Sequence, residues 1–392
     1  MQFKCVGLKI NTSARKKSVL KEWVDSVAFA VIAATIIRWL FFSAFVIPTP
    51  SMENTLLVGD YLFVSKLHYG TSTPATPLQI PLSHQTIWGT EFPSYLDWIK
   101  LPQYRLPGFT DIKRGDVVVF NLPVEHPDLY HKYGNVLPNL KPHPIDLRTN
   151  YIKRCVAKSG DFFQVINGQV YVNGKPATNP SRMQNEYFVS THGLVNEVNV
   201  FKKNGISEFS AYTETFGDTI SSNDSFGYIV YTTSAIIDKI KTYDFVKGAS
   251  PLLLKNGQKE PVLYPTTDLV GWNKDNYGPF LVPKKGMTVD LTPDNVAIYG
   301  DVIKCYEGHD PVSIEGNEIT QNGKLLKTYT FKQDYYFMMG DNRHQSADSR
   351  YWGLVPMDHV VGKAVFVWMS IDPNPVNLLH KIRWERLFRV IN

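Results

Sequence analysis

Cysteine is scarce in this chain, and charge of neither sign dominates it. Its 392 residues contain only Cys5, Cys155 and Cys305, none of them at the spacing of a metal or redox motif. This excludes a disulfide framework and favours free thiols, although a bridge between Cys155 and Cys305 stays open in an oxidising compartment. The 41 basic and 36 acidic residues give a net charge of +5, too small an excess to indicate a nucleic-acid partner.

The composition also lacks the bias of a fibrous or disordered protein. Hydrophobic residues make up 43% of the chain, charged residues 20% and aromatic residues 13%. These shares are those of a folded globular protein, and they exclude collagen-like, coiled-coil and disordered chains. The length predicts about two to three domains.

One long hydrophobic run is present, near the N-terminus. The 21 residues from Val27 to Ile47 contain a single charge, at Arg38, and can cross about 30 Å of hydrocarbon as a helix. A buried core helix is seldom so long and so apolar on every side. A cleavable export signal has a shorter apolar region and a small-x-small exit. A transmembrane signal-anchor helix over residues 23–46 is therefore the favoured interpretation.

The charges around this run predict its orientation. Residues 1–22 form a basic tail, which the positive-inside rule keeps in the cytoplasm. The rest of the chain then lies on the outer, periplasmic side of a bacterial cytoplasmic membrane, anchored by a single pass. Arg38 is expected near the far interface, within an aromatic belt of Trp39, Phe41 and Phe42.

The part beyond the span is predicted to be mainly β. Asn-Gly pairs, which are typical of hairpins, begin at positions 167, 173, 204, 256 and 322. The best helical pattern covers 232–246. Strand-like runs occur at 117–120, 151–156, 169–172 and 364–369.

The motifs described below suggest a division of the exported part. A catalytic β domain is predicted in two pieces, residues 47–177 and 313–372. An inserted second lobe at 178–312 separates them, and a basic, aromatic tail at 373–392 follows.

Two aromatic segments each allow two interpretations. Trp, Tyr and Phe crowd residues 88–109, where core packing and a surface dipping into the headgroup layer are equally good explanations. The segment KIRWERLFRV at 381–390 either docks on the domain or touches anionic headgroups.

A histidine-containing segment at 123–149 is interpreted as a loop. His126, His131 and His143 lie among prolines without metal-ligand spacing, so a metal site is the less favoured alternative. No metal and no organic cofactor is expected.

Candidate chemistry begins with Ser51, a few residues beyond the span. A serine there is more often a turn residue or helix cap than a nucleophile. No G-x-S-x-G elbow and no Ser-His-Asp context accompanies it, so a nucleophilic serine needs another base. A lysine serves only if burial among apolar groups lowers its pKa from about 10.4 to near 7.

Lys153 fits this demand. Alternation along an apolar strand places Tyr151, Lys153 and Cys155 on one face. Taken alone, the segment favours an edge-strand charge that discourages aggregation.

Four blocks in order resemble bacterial type I signal peptidases, or leader peptidases, which are membrane-anchored serine proteases with a Ser/Lys dyad. The last block is highly specific, and together they cover about 60 residues. The blocks are SMENTL at 51–56, RGDVVVF at 114–120, KRCVAKSGD at 153–161 and GDNRHQSADSRYWG at 340–353.

The resemblance implies a role for each matching residue in the reaction. Ser51 is the nucleophile, and Lys153 is the general base that later protonates the leaving amine. Ser346 hydrogen-bonds Lys153 and orients it. The backbone N–H of Ser51 and the hydroxyl of Thr49 form the oxyanion hole, with Thr49 standing where the family more often has Ser.

The same resemblance implies residues that support the site. Asp348 and Arg350 match a structural ion pair, and Gly340, Asp341 and Asn342 match a tight turn. The implied fold is a signal-peptidase-like β-rich catalytic domain with an inserted cap lobe, preceded by one transmembrane helix.

The implied activity is removal of N-terminal signal peptides from exported preproteins after small-x-small motifs such as Ala-x-Ala. The expected partners are these preproteins and the phospholipid membrane, with no nucleic acid. Two alternatives stay open: a related Ser/Lys processing protease with a different substrate, and a non-catalytic membrane-tethered β-domain serving as a binding or assembly subunit.

Overall fold

The computed structural model of the protein describes residues 18–133, 137, 140–214, 225–260, 262–267, 269–308, 311–375 and 381–391. Most of the predicted cytoplasmic tail, including Cys5, lies outside the described residues. The described α-helices are α1 Val19–Leu40, α2 Glu197–Val200, α3 Ser234–Ile240, α4 Pro293–Tyr306 and α5 Ser349–Trp352.

Strands dominate the described part, which confirms the mainly β prediction. Those of the first half are β1 Phe42–Val46, β2 Asp60–Ser65, β3 Val117–Asn121, β4 Asn150–Ala157, β5 Phe162–Ile166, β6 Gln169–Val172, β7 Lys175–Pro176, β8 Asn185–Thr191 and β9 Phe209–Glu214. Those of the second half are β10 Ser225–Thr232, β11 Val246–Pro251, β12 Tyr277–Leu281, β13 Thr288–Asp290, β14 Val312–Glu315, β15 Glu318–Gln321, β16 Lys324–Leu325, β17 Thr328–Thr330, β18 Tyr335–Met339, β19 Val355–Pro356, β20 Val360–Ser370 and β21 Arg389–Val390.

The largest sheet carries the predicted motifs. Its strand order is β1-β2-β20-β3-β4-β18-β19, with β21 beside β20, and the sheet curls into a half-barrel. Strand β3 is buried on both faces: Val118 and Phe120 join one hydrophobic cluster, whereas Val117 and Val119 join another. Core packing on both faces fixes the register of β3 and of its neighbour β4, which carries Lys153.

The inserted region divides between two cores. Strands β8 to β11 form a separate sheet that packs with α2 and α3 around Val189, Phe201 and Val230. By contrast β12 pairs with β5, and α4 contributes Tyr299 and Val302 to the main core. Of the predicted lobe at 178–312, only the part from β8 to β11 therefore has a core of its own.

The helix predicted at 232–246 is shorter in the structure. Thr233 caps α3, which ends at Ile240, and β11 starts at Val246. The hairpin prediction is confirmed at Asn167, Asn173 and Asn322, whose positive φ angles suit a two-residue turn. It is wrong at 204, where the pair ends a 3₁₀ helix, and at 256, where it forms a turn outside paired strands.

The N-terminal helix is long and apolar enough to cross a membrane. It begins and ends earlier than the predicted 23–46, because Phe42–Val46 pairs with β2 as an edge strand. Helix α1 therefore stops at Leu40, and Arg38 lies in its last turn. None of the side chains of α1 is buried in the protein.

The aromatic segments stay largely on the surface. Phe92, Trp98 and Phe109 are 73%, 82% and 79% exposed, so core packing does not explain the 88–109 segment. The C-terminal tail docks on the domain: β21 pairs with β20, and the buried Arg386 guanidinium forms an ion pair with Asp60, although Trp384 remains exposed.

Candidate active site

Ser51 lies in a short 3₁₀ helix, Pro50–Met52, directly after the edge strand β1. Pro50 provides a fixed φ at the start of this turn. Met52 is completely buried among the side chains beneath the sheet, which anchors the turn while Ser51 is 7% exposed. The nucleophile candidate therefore lies in the turn that follows β1, close in the chain to the end of α1.

Lys153 lies in the middle of β4, buried on the same sheet. Its side chain is 3% exposed, and its ammonium group stands 5.3 Å from the ring centroid of Tyr151, which confirms that the two share a face. Burial lowers the pKa of Lys153 from its ordinary value of 10.5 to about 8, although the carboxylates of Asp348 and Asp341 act in the opposite direction. At this pKa about one amine in ten is neutral at pH 7.

The two groups meet although 102 positions separate them in the chain. The distance from Lys153 Nζ to Ser51 Oγ is 2.7 Å, and Nζ also lies 3.1 Å from the carbonyl oxygen of Ile152. A separation of 2.7 Å allows direct proton transfer from the hydroxyl to a neutral amine.

Ser346 lies beside this pair but does not bond to it here. Its Oγ is buried and has no hydrogen-bond partner among the described residues. Gly340 explains how closely the groups pack: a Cβ there would overlap Ser346 Oγ and lie 2.5 Å from the carbonyl oxygen of Ser51. The site therefore requires glycine at this position.

Thr49 is exposed at the start of the turn that carries Ser51. Its side chain makes no capping hydrogen bond to the 3₁₀ helix, and no other partner is found among the described residues. A hydroxyl two residues before the nucleophile is thus free to donate to a developing oxyanion.

The predicted turn at Asp341 and Asn342 connects Ser51 to the sheet by hydrogen bonds. Asn342 N–H donates to the carbonyl oxygen of Ser51 at 3.1 Å, and Thr55 Oγ1 donates to Asp341 at 2.6 Å. Arg154 donates to both Asp341 oxygens, at 2.8 and 2.7 Å. The sequence analysis gave Arg154 no role, although it follows Lys153 and so points to the opposite face of β4.

Asp348 and Arg350 form the predicted ion pair. The guanidinium donates to both carboxylate oxygens, at 2.9 and 2.8 Å, and both side chains are almost completely buried. The neighbouring guanidinium and the N–H groups of Gly340 and Arg350 hold the pKa of Asp348 below its usual range despite burial. Since Asp348 also accepts from Gly340 N–H, the pair fixes the backbone beside Ser346.

A second support comes from the inserted region and was not predicted. Gln184 N–H donates to the carbonyl oxygen of Asp341, and Arg343 N–H donates to that of Gln184. His344 Nε2 lies 3.0 Å from the buried carboxylate of Asp275. No local pattern links position 184 or 275 to position 344, so only the folded chain reveals these contacts.

The described cysteines and histidines considered in the sequence analysis are not part of this hydrogen-bonded site. Cys155 and Cys305 are both free, as the sequence analysis favoured. His126 comes within 4.8 Å of Asp128 and Cys305 through its nearest ligand atoms, whereas His131 and His143 are not part of that cluster. Lys304 already pairs with Asp128 at 3.4 Å, which weakens this group as a cation site.

Comparison with known proteins now identifies the class. The family described as signal peptidase, peptidase S26, matches residues 20–238 and 281–369, which is most of the chain. The chain therefore belongs to this family, a type I signal peptidase with serine endopeptidase character. The matched residues include all four motif blocks and all of the apolar helix α1 except its first residue.

Individual relatives extend the likeness over nearly the full chain. Signal peptidase I of Rickettsia rickettsii is 28% identical over 394 residues, covering 97% of this chain and 96% of its own. Signal peptidase I of Buchnera aphidicola from Acyrthosiphon pisum is 25% identical over 379 residues, covering 97% and 84%. Signal peptidase I of Haemophilus influenzae is 23% identical over 381 residues, covering 95% and 76%.

Proposed function

We propose that this protein is a membrane-bound endopeptidase that removes signal peptides from exported preproteins with a Ser51–Lys153 dyad. The observation that carries the proposal is the 2.7 Å distance between the Ser51 hydroxyl and a buried lysine amine whose pKa is lowered to about 8. The likeness to signal peptidases supports cleavage of signal peptides at a membrane.

In the acylation step, Lys153 accepts the hydroxyl proton of Ser51 as Oγ attacks the carbonyl carbon before the cut. The carbonyl electron pair moves onto the oxygen, which the Ser51 N–H and the Thr49 hydroxyl stabilise. Collapse of this intermediate breaks the C–N bond, and the Lys153 ammonium returns its proton to the leaving amine. A water molecule then attacks the acyl carbon while Lys153 accepts its proton. The ester bond to Ser51 Oγ breaks, and Lys153 returns the proton to the serine oxygen.

The position of Ser51 suits a substrate that is still embedded in a bilayer. Only ten residues lie between Leu40, the last residue of α1, and Ser51. A preprotein whose apolar leader spans the membrane thus presents its cut site at the depth of the nucleophile. The edge position of β1 favours binding of the substrate as an added strand, with small-x-small side chains entering shallow pockets.

The proposed topology follows the positive-inside rule. Helix α1 is the single span, with the basic tail in the cytoplasm and the β domain on the outer side of the cytoplasmic membrane. Ser51, Lys153 and the supporting turn then all face the compartment into which signal peptides emerge.

The experiment is cleavage of a preprotein by the full chain in detergent, followed by N-terminal sequencing of the product. The expected cut follows an Ala-x-Ala motif, and replacing the Ala before the cut by Leu should abolish it. Cleavage at an unrelated site would favour another processing protease, and no cleavage of any signal peptide would contradict the proposal.

Thr49→Val tests the oxyanion hole. The methyl groups keep the size of the side chain but remove the hydroxyl donor, so we expect kcat to fall about 10²-fold with KM little changed. Thr49→Ser retains the donor and should keep near-normal kcat. Equal activity of the Val and Ser variants would assign oxyanion stabilisation to other groups.

A further inference from the structure

A cavity of about 400 Å³ lies where the end of α1 meets the β domain. One wall is the last two turns of α1, including Ile36, Arg38 and Trp39. The opposite wall is residues 72–84 together with Lys66, which follows β2. A volume of this size is typical of small-molecule sites.

The end of α1 is fixed to this wall by hydrogen bonds. Trp39 Nε1 donates to the carbonyl oxygen of Ser72 at 3.1 Å, and Thr71 Oγ1 donates to that of Leu40 at 2.7 Å. Lys66 N–H donates to the carbonyl oxygen of Phe41 at 3.0 Å. The helix and the domain therefore hold the cavity in one shape.

Two cations line the cavity without a direct ion-pair partner among the described residues. Among the described residues, the side chains of Arg38 and Lys66 form no hydrogen bond and no ion pair. Burial, and the nearby charge of Arg38, lower the pKa of Lys66 from 10.5 to about 8. An anion between the two side chains would offset both the desolvation of the Lys66 ammonium and its repulsion by Arg38.

The acidic groups of the same walls are already engaged. Asp146 accepts from the backbone N–H groups of Ala75 and Thr76 and from Thr76 Oγ1. Asp358 bonds to His359 at 2.6 Å and to Gln333 at 3.2 Å. Among the described residues, neither carboxylate forms a hydrogen bond or an ion pair with Arg38 or Lys66.

Apolar side chains complete the cavity. Ile36, Ile80 and Leu82 are 45%, 41% and 38% exposed beside the charged groups. A ligand that fits must combine an anionic head with an apolar portion. At the end of a membrane-spanning helix, anionic phospholipids offer this combination at the same depth.

We propose that this cavity binds one anionic phospholipid, with its phosphate between Arg38 and Lys66 and its acyl chain along Ile36 and Leu82. Binding would fix the distance of the β domain from the bilayer surface. The proposal rests on α1 as the proposed membrane span but not on the chemistry of Ser51 and Lys153, so either can fail without the other.

The test is lipid retention by the purified full chain, measured by native mass spectrometry in detergent with phosphatidylglycerol or phosphatidylcholine. We expect one phosphatidylglycerol to bind about 25-fold more tightly than phosphatidylcholine, whose phosphate charge is balanced by its own ammonium group, since each cation contributes about fivefold to the affinity for a lipid of net negative charge. The Arg38→Gln, Lys66→Gln double variant should lose this preference, whereas Arg38→Lys should keep it.

The matched control removes two exposed cations outside both the cavity and the aromatic 88–109 segment, by Lys175→Gln and Lys255→Gln. It changes the net charge equally and should retain the preference for phosphatidylglycerol. An equal loss in both double variants would overturn the proposal, as would a wild-type chain with no preference.

Displacement of the lipid by millimolar inorganic phosphate would assign the site to a free anion, and displacement by excess signal peptide would assign it to substrate. If the double variant does not fold, two measurements decide the proposal: the preference of the wild-type chain for phosphatidylglycerol, and the reduction of this preference in the Lys66→Gln single variant.

Discussion

Ser51→Ala is expected to lower kcat for preprotein cleavage by about 10⁴-fold or more. The substitution removes the hydroxyl oxygen that lies 2.7 Å from the Lys153 amine and would form the acyl bond, and loss of a nucleophilic serine has effects of at least this size in other serine proteases. The change replaces a hydroxyl by hydrogen on a 7% exposed residue, so the fold should persist. Cleavage rates in detergent and thermal unfolding, each measured for the wild-type chain and the Ser51→Ala variant, check the result.

Lys153→Met should cause a comparable loss of activity but a gain in stability. The pKa of Lys153 is about 8 in the folded protein and about 10.5 when unfolded, so below pH 8 folding buries a cation at a cost of about 3 kcal/mol. Methionine removes this cost, and the gain should shrink as pH rises from 8 to 10.5. Near-normal turnover by either variant would refute the dyad, and a destabilised Lys153→Met chain would contradict the pKa assignment.

Asp348→Ala is expected to destabilise the fold by about 3 to 5 kcal/mol. The variant leaves the buried Arg350 guanidinium without its carboxylate, and breaking a buried pair from one side has this effect. It also removes the acceptor of Gly340 N–H, so the turn beside Ser346 loosens. Urea unfolding measures the loss of stability. Preprotein cleavage, measured at a temperature where the variant remains folded, should also be slower.

The double variant Asp348→Ala, Arg350→Met supplies the control. Removing both charges avoids an unpaired buried cation, so this chain should recover a large part of the lost stability. Asp97→Ala offers a matched loss of one carboxylate, since the side chains of its pair with Lys100 are 58% and 67% exposed and the change should cost less than about 1 kcal/mol. An equal loss of stability in Asp348→Ala and Asp97→Ala would show that burial of the Asp348–Arg350 pair is not what stabilises the site.

Local patterns predicted much of the sheet but less of the helices. The runs at 117–120 and 151–156 became β3 and β4, because β-branched and alternating residues suit a strand buried on both faces. The analysis missed α4, although Thr292 and Pro293 are a helix start signal and Val296, Tyr299 and Val302 repeat at helical spacing.

The sequence named the residues that the fold brings together around Ser51, but not the contacts that support them. The motif blocks named Ser51, Lys153 and Asp348, and alternation correctly placed Tyr151 on the face of Lys153. The contacts of Gln184 and Asp275 with the turn after Gly340 depend on how the inserted region returns to the sheet. Contacts between such distant positions arise from tertiary packing, which single-sequence patterns do not encode.

The central claim is that the Ser51 nucleophile is activated by a neutral Lys153. The most direct measurement is the pH dependence of Ser51 acylation in single turnovers of the full chain, from pH 5 to pH 10. Because the amine must lose a proton with a pKa of about 8, the rate should rise about tenfold per pH unit below 8 and level off above it. A rate independent of pH from 5 to 7, or one still rising at pH 10, would contradict the account.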